Sequence, residues 1–299
     1  MRMDTIKQTP GEKAFEAVNL TLVLLITIIL LYPLLFVILA SVSDPRRIYD
    51  TFLLVWPQGF NLESYKAIFE NGDIWIGYRN TILYTTVGTA INVFMTILGA
   101  YPLSRRRFYG KNVFTFLFTF TMFFSGGLIP TYLVNQSLGI LNSIWVLVLP
   151  GAISVFNLII MRTYFQTQIP VELEESAFVD GCSDWRLLFK IVLPLSMPII
   201  AVMILFYGVG HWNSYFDSLI YMTDRDKFPL QLFLREILIK NSMQDMLGVA
   251  VDEQYSQRMM AREGIKYSIV VASSLPLLIL YPLLSKFFEK GILVGAIKG

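Results

Sequence analysis

The sequence is poor in the residues that build soluble active sites. Among its 299 residues there is one cysteine, Cys182, and one histidine, His211. A lone cysteine excludes an intrachain disulfide and a cysteine-based metal centre. A lone histidine excludes a histidine cluster for zinc. Charge is scarce too, at 15% of residues against about 25% in an ordinary soluble domain. The balance of 24 basic and 22 acidic residues is too even to call for a polyanionic partner, nucleic acid included. No G-x-x-x-x-G-K-[ST] stretch occurs, so the chain brings no nucleotide-binding loop of its own.

The scarcity of charge is uneven. Residues 17–43, 80–104, 112–161, 191–216 and 267–285 contain no Asp, Glu, Lys or Arg. These gaps take up half the chain, and the remainder carries charge at about 30%, the density of a solvated surface. Such a division is that of an all-α, polytopic membrane protein. It excludes a soluble enzyme, a nucleic-acid binder, a coiled coil and a secreted disulfide scaffold.

A helix needs about 20 residues to cross a hydrocarbon core. The gaps predict spans over 19–42, 80–104, 195–216 and 265–286. The 50-residue gap holds two more, 113–134 and 144–164, separated by the polar, turn-rich run from Asn135 to Ser143. The total is six transmembrane helices, with both termini on one side. The first apolar run is about twice the length of a signal-peptide core and no A-x-A site follows it, so it is expected to be a retained span.

Arg105, Arg106, Arg107 and Lys111 make the connection after the second span strongly basic, and Lys286, Lys290 and Lys298 crowd the last one. By the positive-inside rule these face the cytoplasm. The expected organisation is a cytoplasmic tail over 1–18, a first helix over 19–42 and an external segment over 43–79. A core with five helices follows over 80–286, with an external loop at 217–264 and a cytoplasmic loop at 169–194. A cytoplasmic tail over 287–299 ends the chain. Among the proline and glycine residues within spans, the Gly126-Gly127-x-x-Pro130 cluster is singled out as a helix break beside a pathway.

The 169–194 loop reads as helix–turn–helix. Pro170 suits a first helical position. Glu172, Glu174 and Glu175 complement the helix dipole. Gly181 suits a left-handed stop, and Ser183 or Asp184 can cap a second short helix that runs to Pro194. Phe178, Val179, Trp185, Leu188 and Phe189 mix apolar surface into it. An interfacial helix on lipid is one reading. A docking element for a cytoplasmic partner is the other, and the acidic start favours it over an anionic lipid surface.

Glu175, Ser176, Ala177, Gly181, Ile191, Leu193 and Pro194 fall, without a gap, in the register E-A-A-x-x-x-G-x9-I-x-L-P. This stretch resembles the EAA loop of binding-protein-dependent ABC importer permeases. The departure is Ser176 in place of alanine, and serine is still small. Residues 126–130, 138–143 and 158–162, Gly210-His211-Trp212-Asn213 and the C-terminal residues 290–299 are similar to the carbohydrate branch. Within it they resemble permeases for complex saccharides, such as the second permease chain of alginate importers. The resemblance implies a type I importer transmembrane domain. Its EAA loop would dock an ATPase subunit through Glu174, Glu175, Ser176, Ala177, Phe178, Asp180 and Gly181. The implied partners are a second related permease chain, two ATPase subunits, an extracellular or periplasmic solute-binding protein, an oligosaccharide and the bacterial plasma membrane. The chain itself would hold no cofactor, since ATP and Mg belong to the ATPase subunits, and it would not be an enzyme.

Spans without acid or base argue against proton or sodium coupling. A stand-alone carrier or channel for a small neutral solute is the alternative class. Candidate pathway residues are Tyr207, His211, Trp212, Asn213 and Tyr215 in the fifth span. Tyr207 and His211 share a face there, as do His211 and Tyr215. An aromatic belt or simple packing explains the same cluster. Asn92, Ser125, Tyr132 and Asn157 are further candidates, each also explicable as a helix–helix hydrogen bond. The lone His211 is assigned no catalytic or metal role. Met243, Met246, Met259 and Met260 read as packing. By the same resemblance, residues 230–262 within the external 217–264 segment are expected to reach a docked binding protein.

Overall fold

The computed structural model describes residues 9–48, 53–246 and 264–282. Among them the regular structure is helical, with no strand. Two compact units form: one from Met1–Glu70 with Ile237–Ala272, the other from Asn71–Glu236 with Ser273–Gly299. Of the expected segments, 247–263 in the external loop and the tail 287–299 lie outside the described residues, as do the positions of Met259 and Met260.

In the first unit, α1 (Pro10–Ser41) opens with a complete capping box. Thr9 Oγ1 accepts the Glu12 N–H and the Glu12 carboxylate accepts the Thr9 N–H, with Pro10 at the first position. The helix therefore starts nine residues before the predicted span. Its apolar stretch has no buried residue within the unit. The C-terminal end is held by polar contacts: Ser41 Oγ accepts from Tyr65 on α2 (Glu63–Glu70) at 2.8 Å, and Ser41 O accepts from Ser268 at 2.9 Å.

The second unit is built around α3 (Gly72–Ser104), which packs mainly against α7 (Val155–Gln168) and α11 (Met197–Asn213). Between them lie α4 (Lys111–Phe123), α5 (Leu128–Ser137) and α6 (Ile144–Val148). After α7 come α8 (Val171–Val179), α9 (Asp184–Leu187), a π turn over Leu188–Val192 and α10 (Leu193–Leu195). After α11 come α12 (Phe216–Tyr221), α13 (Leu230–Met246) and α14 (Gly264–Pro282); α13 and α14 are shared between the two units.

Three described helices are long and apolar enough to cross a membrane: α1, α3 and α14. The number rises to five if each bent pair counts as one span. The spans predicted over 113–134 and 144–164 are each broken rather than single helices. The first is α4 and α5, bent by 113° across residues 124–127, where Gly127 has φ +82°. This is the break expected at Gly126-Gly127. The second is five residues of α6, an irregular stretch over 149–154, and α7. Pro150 and Gly151 lie in that stretch and oppose a continuous helix.

A break inside apolar surroundings frees backbone groups that need partners. Neighbouring helices supply them. Asn92 Nδ2 on α3 donates to Gly151 O at 2.7 Å, and Ser154 N–H donates to the Tyr207 hydroxyl on α11 at 3.1 Å.

At the other end of α3, residues 222–228 are clasped by several elements. Asn80 Nδ2 donates to Asp226 O (2.7 Å) and Phe228 O (3.0 Å), and Tyr84 OH donates to Lys227 O (2.8 Å). Asn142, at φ +56°, accepts the N–H groups of Thr223 and Asp224 on its side chain. Arg225 pairs with Asp73 at 2.7 Å and Glu236 at 3.0 Å.

Candidate functional site

The 169–194 loop folds as helix–turn–helix. Pro170 stands one position earlier than predicted, as the N-cap of α8 (φ −60°, ψ 140°), where its missing N–H costs nothing. Glu172 and Glu174 occupy the first turn, against the positive end of the helix dipole. Gly181 stops the helix at φ +74°. Its N–H donates to Phe178 O at 3.0 Å and the Cys182 N–H to Ala177 O at 2.9 Å. These paired bonds are a Schellman stop, which needs a left-handed residue and so favours glycine. Ser183 then caps α9, accepting from the Arg186 N–H. The arm Asp184–Leu195 meets α11 at 82°.

The seven predicted docking residues separate into two sets. Glu175, Ser176, Asp180 and Gly181 are exposed, beside Glu172 and an 88%-exposed Val179. Ala177 is buried in a core with Tyr101, Leu158, Met161, Phe165 and Leu187. Phe178 is half-buried beneath the Arg107 guanidinium, 4.6 Å from its ring centre. Glu174 is turned inward. Its Oε2 accepts from Arg105 at 2.9 Å, and the two side chains are only 12% and 9% exposed.

Arg105 is a site residue that sequence reasoning missed. In the sequence it is one cation of a basic connection. It is in fact buried, donating also to Ser104 Oγ (2.9 Å) and Phe165 O (3.2 Å), with its guanidinium over the Tyr101 ring. Beside it lies a cavity of 490 Å³, walled by Leu98, Tyr101, Arg107, Trp185 and Leu188.

The pathway candidates do not form one wall. Tyr207 shares a buried 2.7 Å hydrogen bond with Thr96 and accepts from Ser154 N–H. His211 Nε2 lies 2.6 Å from Asn92 Oδ1. Since the Asn92 amide nitrogen donates to Gly151 O, its oxygen is the acceptor, and His211 carries its proton on Nε2. Trp212 is buried and donates to Ser273 O at 3.0 Å. Asn157 is buried in the first turn of α7. Asn213 and Tyr215 are exposed, with Arg235 over the Tyr215 ring. Tyr132 stacks on Tyr221, ring centres 6.0 Å apart. A separate 550 Å³ cavity lies where the two broken segments meet, lined by Gly126, Pro130, Thr131, Asn135, Leu149 and Pro150.

Residues 74–293 match the family described as binding-protein-dependent transport system inner membrane component. The chain belongs to this family. This permease is 40% identical over 295 residues to Protein LplC of Bacillus subtilis, covering 99% of this chain and 98% of that one. It is 41% identical over 287 residues to the polygalacturonan/rhamnogalacturonan transport system permease YtcP of the same organism, covering 96% and 99%. Among solved structures it is similar to a chain of a bacterial ABC transporter involved in import of the acidic polysaccharide alginate. The match has a TM-score of 0.84 at 29% identity and covers 95% of this chain and 100% of that one. The permease is thus a membrane component of an ABC importer with a type I transmembrane domain, and is not itself an enzyme. The family has no cofactor of its own.

Proposed function

We propose that this permease forms one half of the translocation pathway of an importer for oligosaccharides released from complex, polysaccharide-derived glycans. The alginate and polygalacturonan systems among its relatives support that substrate class. A second, related permease chain completes the pathway, and a solute-binding protein delivers the sugar from outside. Two ATPase subunits bind ATP and Mg on the cytoplasmic side, where both termini lie. The chain crosses the membrane six times, with broken segments at two of the crossings.

The observation that carries the coupling mechanism is the outer face of α8. Glu175, Ser176, Asp180 and Gly181 stand exposed on a helix whose other side is anchored in the core. That is the arrangement a docking helix needs: a fixed inner face and a free outer one with small residues for close approach. Closure of the ATPase pair on ATP then draws the helix along and biases the permease between inward- and outward-facing states.

Glu175→Lys and Gly181→Asp test this in the assembled importer. Each is expected to reduce ATPase copurification at least about tenfold, the effect of one unfavourable charge at an interface, while the permease still inserts. ATPase retention together with normal uptake in both variants would overturn docking at α8.

A further inference from the structure

We infer that Arg105 is a positioning residue that carries the displacement of α8 into the membrane helices, with Glu174 as its handle on the loop. The inference rests on reading α8 as the ATPase-docking helix. It reassigns Glu174 from that docking surface to the interior of the permease.

The geometry has three parts. First, Arg105 is the C-cap of α3, so its backbone moves with that helix. Its side chain reaches three elements at once: Ser104 at the end of α3, Phe165 O on α7 and Glu174 on α8. A guanidinium supplies such divergent donors in one rigid plane, which an ammonium cannot. Second, Glu174 gives α8 its ion pair to α3, beside an apolar anchor that is small. Its one fully buried side chain is Ala177, with Leu173 and Phe178 partly buried. The cavity between Tyr101 and Trp185 leaves the adjacent route through α9 partly open. Pulling Glu174 off Arg105 would strand two charges in a nearly dry site, a costly outcome. The pair therefore moves as a unit. Third, α3 continues to the contacts that hold the broken segment. Thr96 lies nine residues, about 14 Å, up the helix from Arg105. It bonds Tyr207, and Asn92 one turn further bonds both His211 and Gly151 O. The helix α3 itself thus joins the loop contact at Arg105 to the hydrogen bonds of Thr96 and Asn92 that reach the break at 149–154.

The test uses the complete importer with Cys182→Ser as background and a reporter cysteine at Asn213, which is exposed. Maleimide labelling of the reporter is measured with and without a non-hydrolysable ATP analogue, so no transported sugar is required. In the parent protein the nucleotide is expected to change the labelling rate, and an unchanged rate there overturns the transmission of α8 movement to α11. Glu174→Gln keeps the shape of the side chain, and Arg105→Lys keeps the charge. Both are expected to retain the ATPase subunits and to insert, with a melting temperature lowered by the broken buried pair, yet to lose about fivefold of the nucleotide-driven change. Exchanging the charges, Arg105→Glu with Glu174→Arg, is expected to restore part of it. Should Arg105→Lys fail to assemble, Glu174→Gln carries the test alone.

A full nucleotide response in Glu174→Gln overturns the inference. So does loss of the ATPase subunits from Glu174→Gln, which would return Glu174 to the docking surface. The docking reading itself is judged separately, by Glu175→Lys. If that variant keeps its ATPase subunits, docking at α8 fails whatever Glu174→Gln does.

Discussion

The imidazole of His211 occupies the space that a side chain at Gly88 would need. A Cβ at position 88 would lie 2.5 Å from His211 Nε2 and 2.7 Å from Cε1. The absence of a side chain on α3 is what lets His211 reach Asn92, one helical turn away, at 2.6 Å. The sole histidine of the chain is thereby a clamp between α3 and α11, and through Asn92 it also secures the backbone at Gly151.

Gly88→Ala is therefore expected to displace the ring and destabilise the permease by about 1–3 kcal/mol, the cost of overpacking a filled site. Thermal melting in detergent reads this directly. Adding His211→Ala to that variant should recover only part of the loss, because the space is freed but Asn92 Oδ1 loses its donor. A Gly88→Ala protein that melts with the parent would contradict the contact.

Tyr207→Phe separates a clamp from a pathway wall. The hydroxyl bonds Thr96 and accepts the Ser154 N–H beside the second break. Its removal leaves the buried Thr96 hydroxyl and the part-buried Ser154 N–H short of a hydrogen bond, at about 1–3 kcal/mol for the buried group. The expected outcome is a lower melting temperature with an unchanged preference among transported oligosaccharides. A changed preference at parental stability would instead put the hydroxyl on the sugar.

Asn142 can be divided into its two contributions. Its φ of +56° favours glycine or asparagine, and its side chain accepts two backbone N–H groups. Asn142→Gly retains the backbone and deletes the acceptor, whereas Asn142→Ala removes both advantages. Hydrogen exchange at the Thr223 and Asp224 amides should speed up in each variant. The alanine variant should be the less stable by about 1 kcal/mol.

The 222–228 segment is also expected to respond to acid. The Lys227 ammonium, and then the Asp226 N–H, hydrogen-bond the Asp224 carboxylate and hold its pKa below the ordinary carboxylate range. A depressed acid contributes stability above its unfolded pKa and loses it as pH falls through the folded one. Asp224→Asn should thus exchange faster than the parent at amides 223–228 at neutral pH. The difference should begin to shrink below pH ~4 and be gone once pH has fallen through the depressed folded pKa, where the parent is protonated as well. A difference that persists unchanged at low pH would exclude this linkage.

Local chemistry was legible where one residue type dictates a backbone state. Gly181 announced the stop of α8, Ser183 or Asp184 the cap of α9, which Ser183 supplies, and Gly126-Gly127 the break between α4 and α5. The second break was less legible, because a long apolar run satisfies the length of a span whether or not its helix is continuous. Pro150-Gly151 was the available signal, and its consequence depends on Asn92 and Tyr207 arriving from other helices to satisfy the freed backbone.

The sequence by itself determined that this is a polytopic membrane protein: half the chain avoids charge because uncompensated charge is costly in hydrocarbon. It also carried the register of the EAA loop, which depends on residues close in sequence. Only the tertiary structure decided which residues face which way. Glu174 and Glu175 are neighbours about 100° apart on α8. Packing on α3 and α7 sends the first to Arg105 and leaves the second exposed. Likewise Arg105, Arg106 and Arg107 are equivalent as cations. Only the first stands where Phe165 O and the Glu174 carboxylate converge, so it alone of the three is buried.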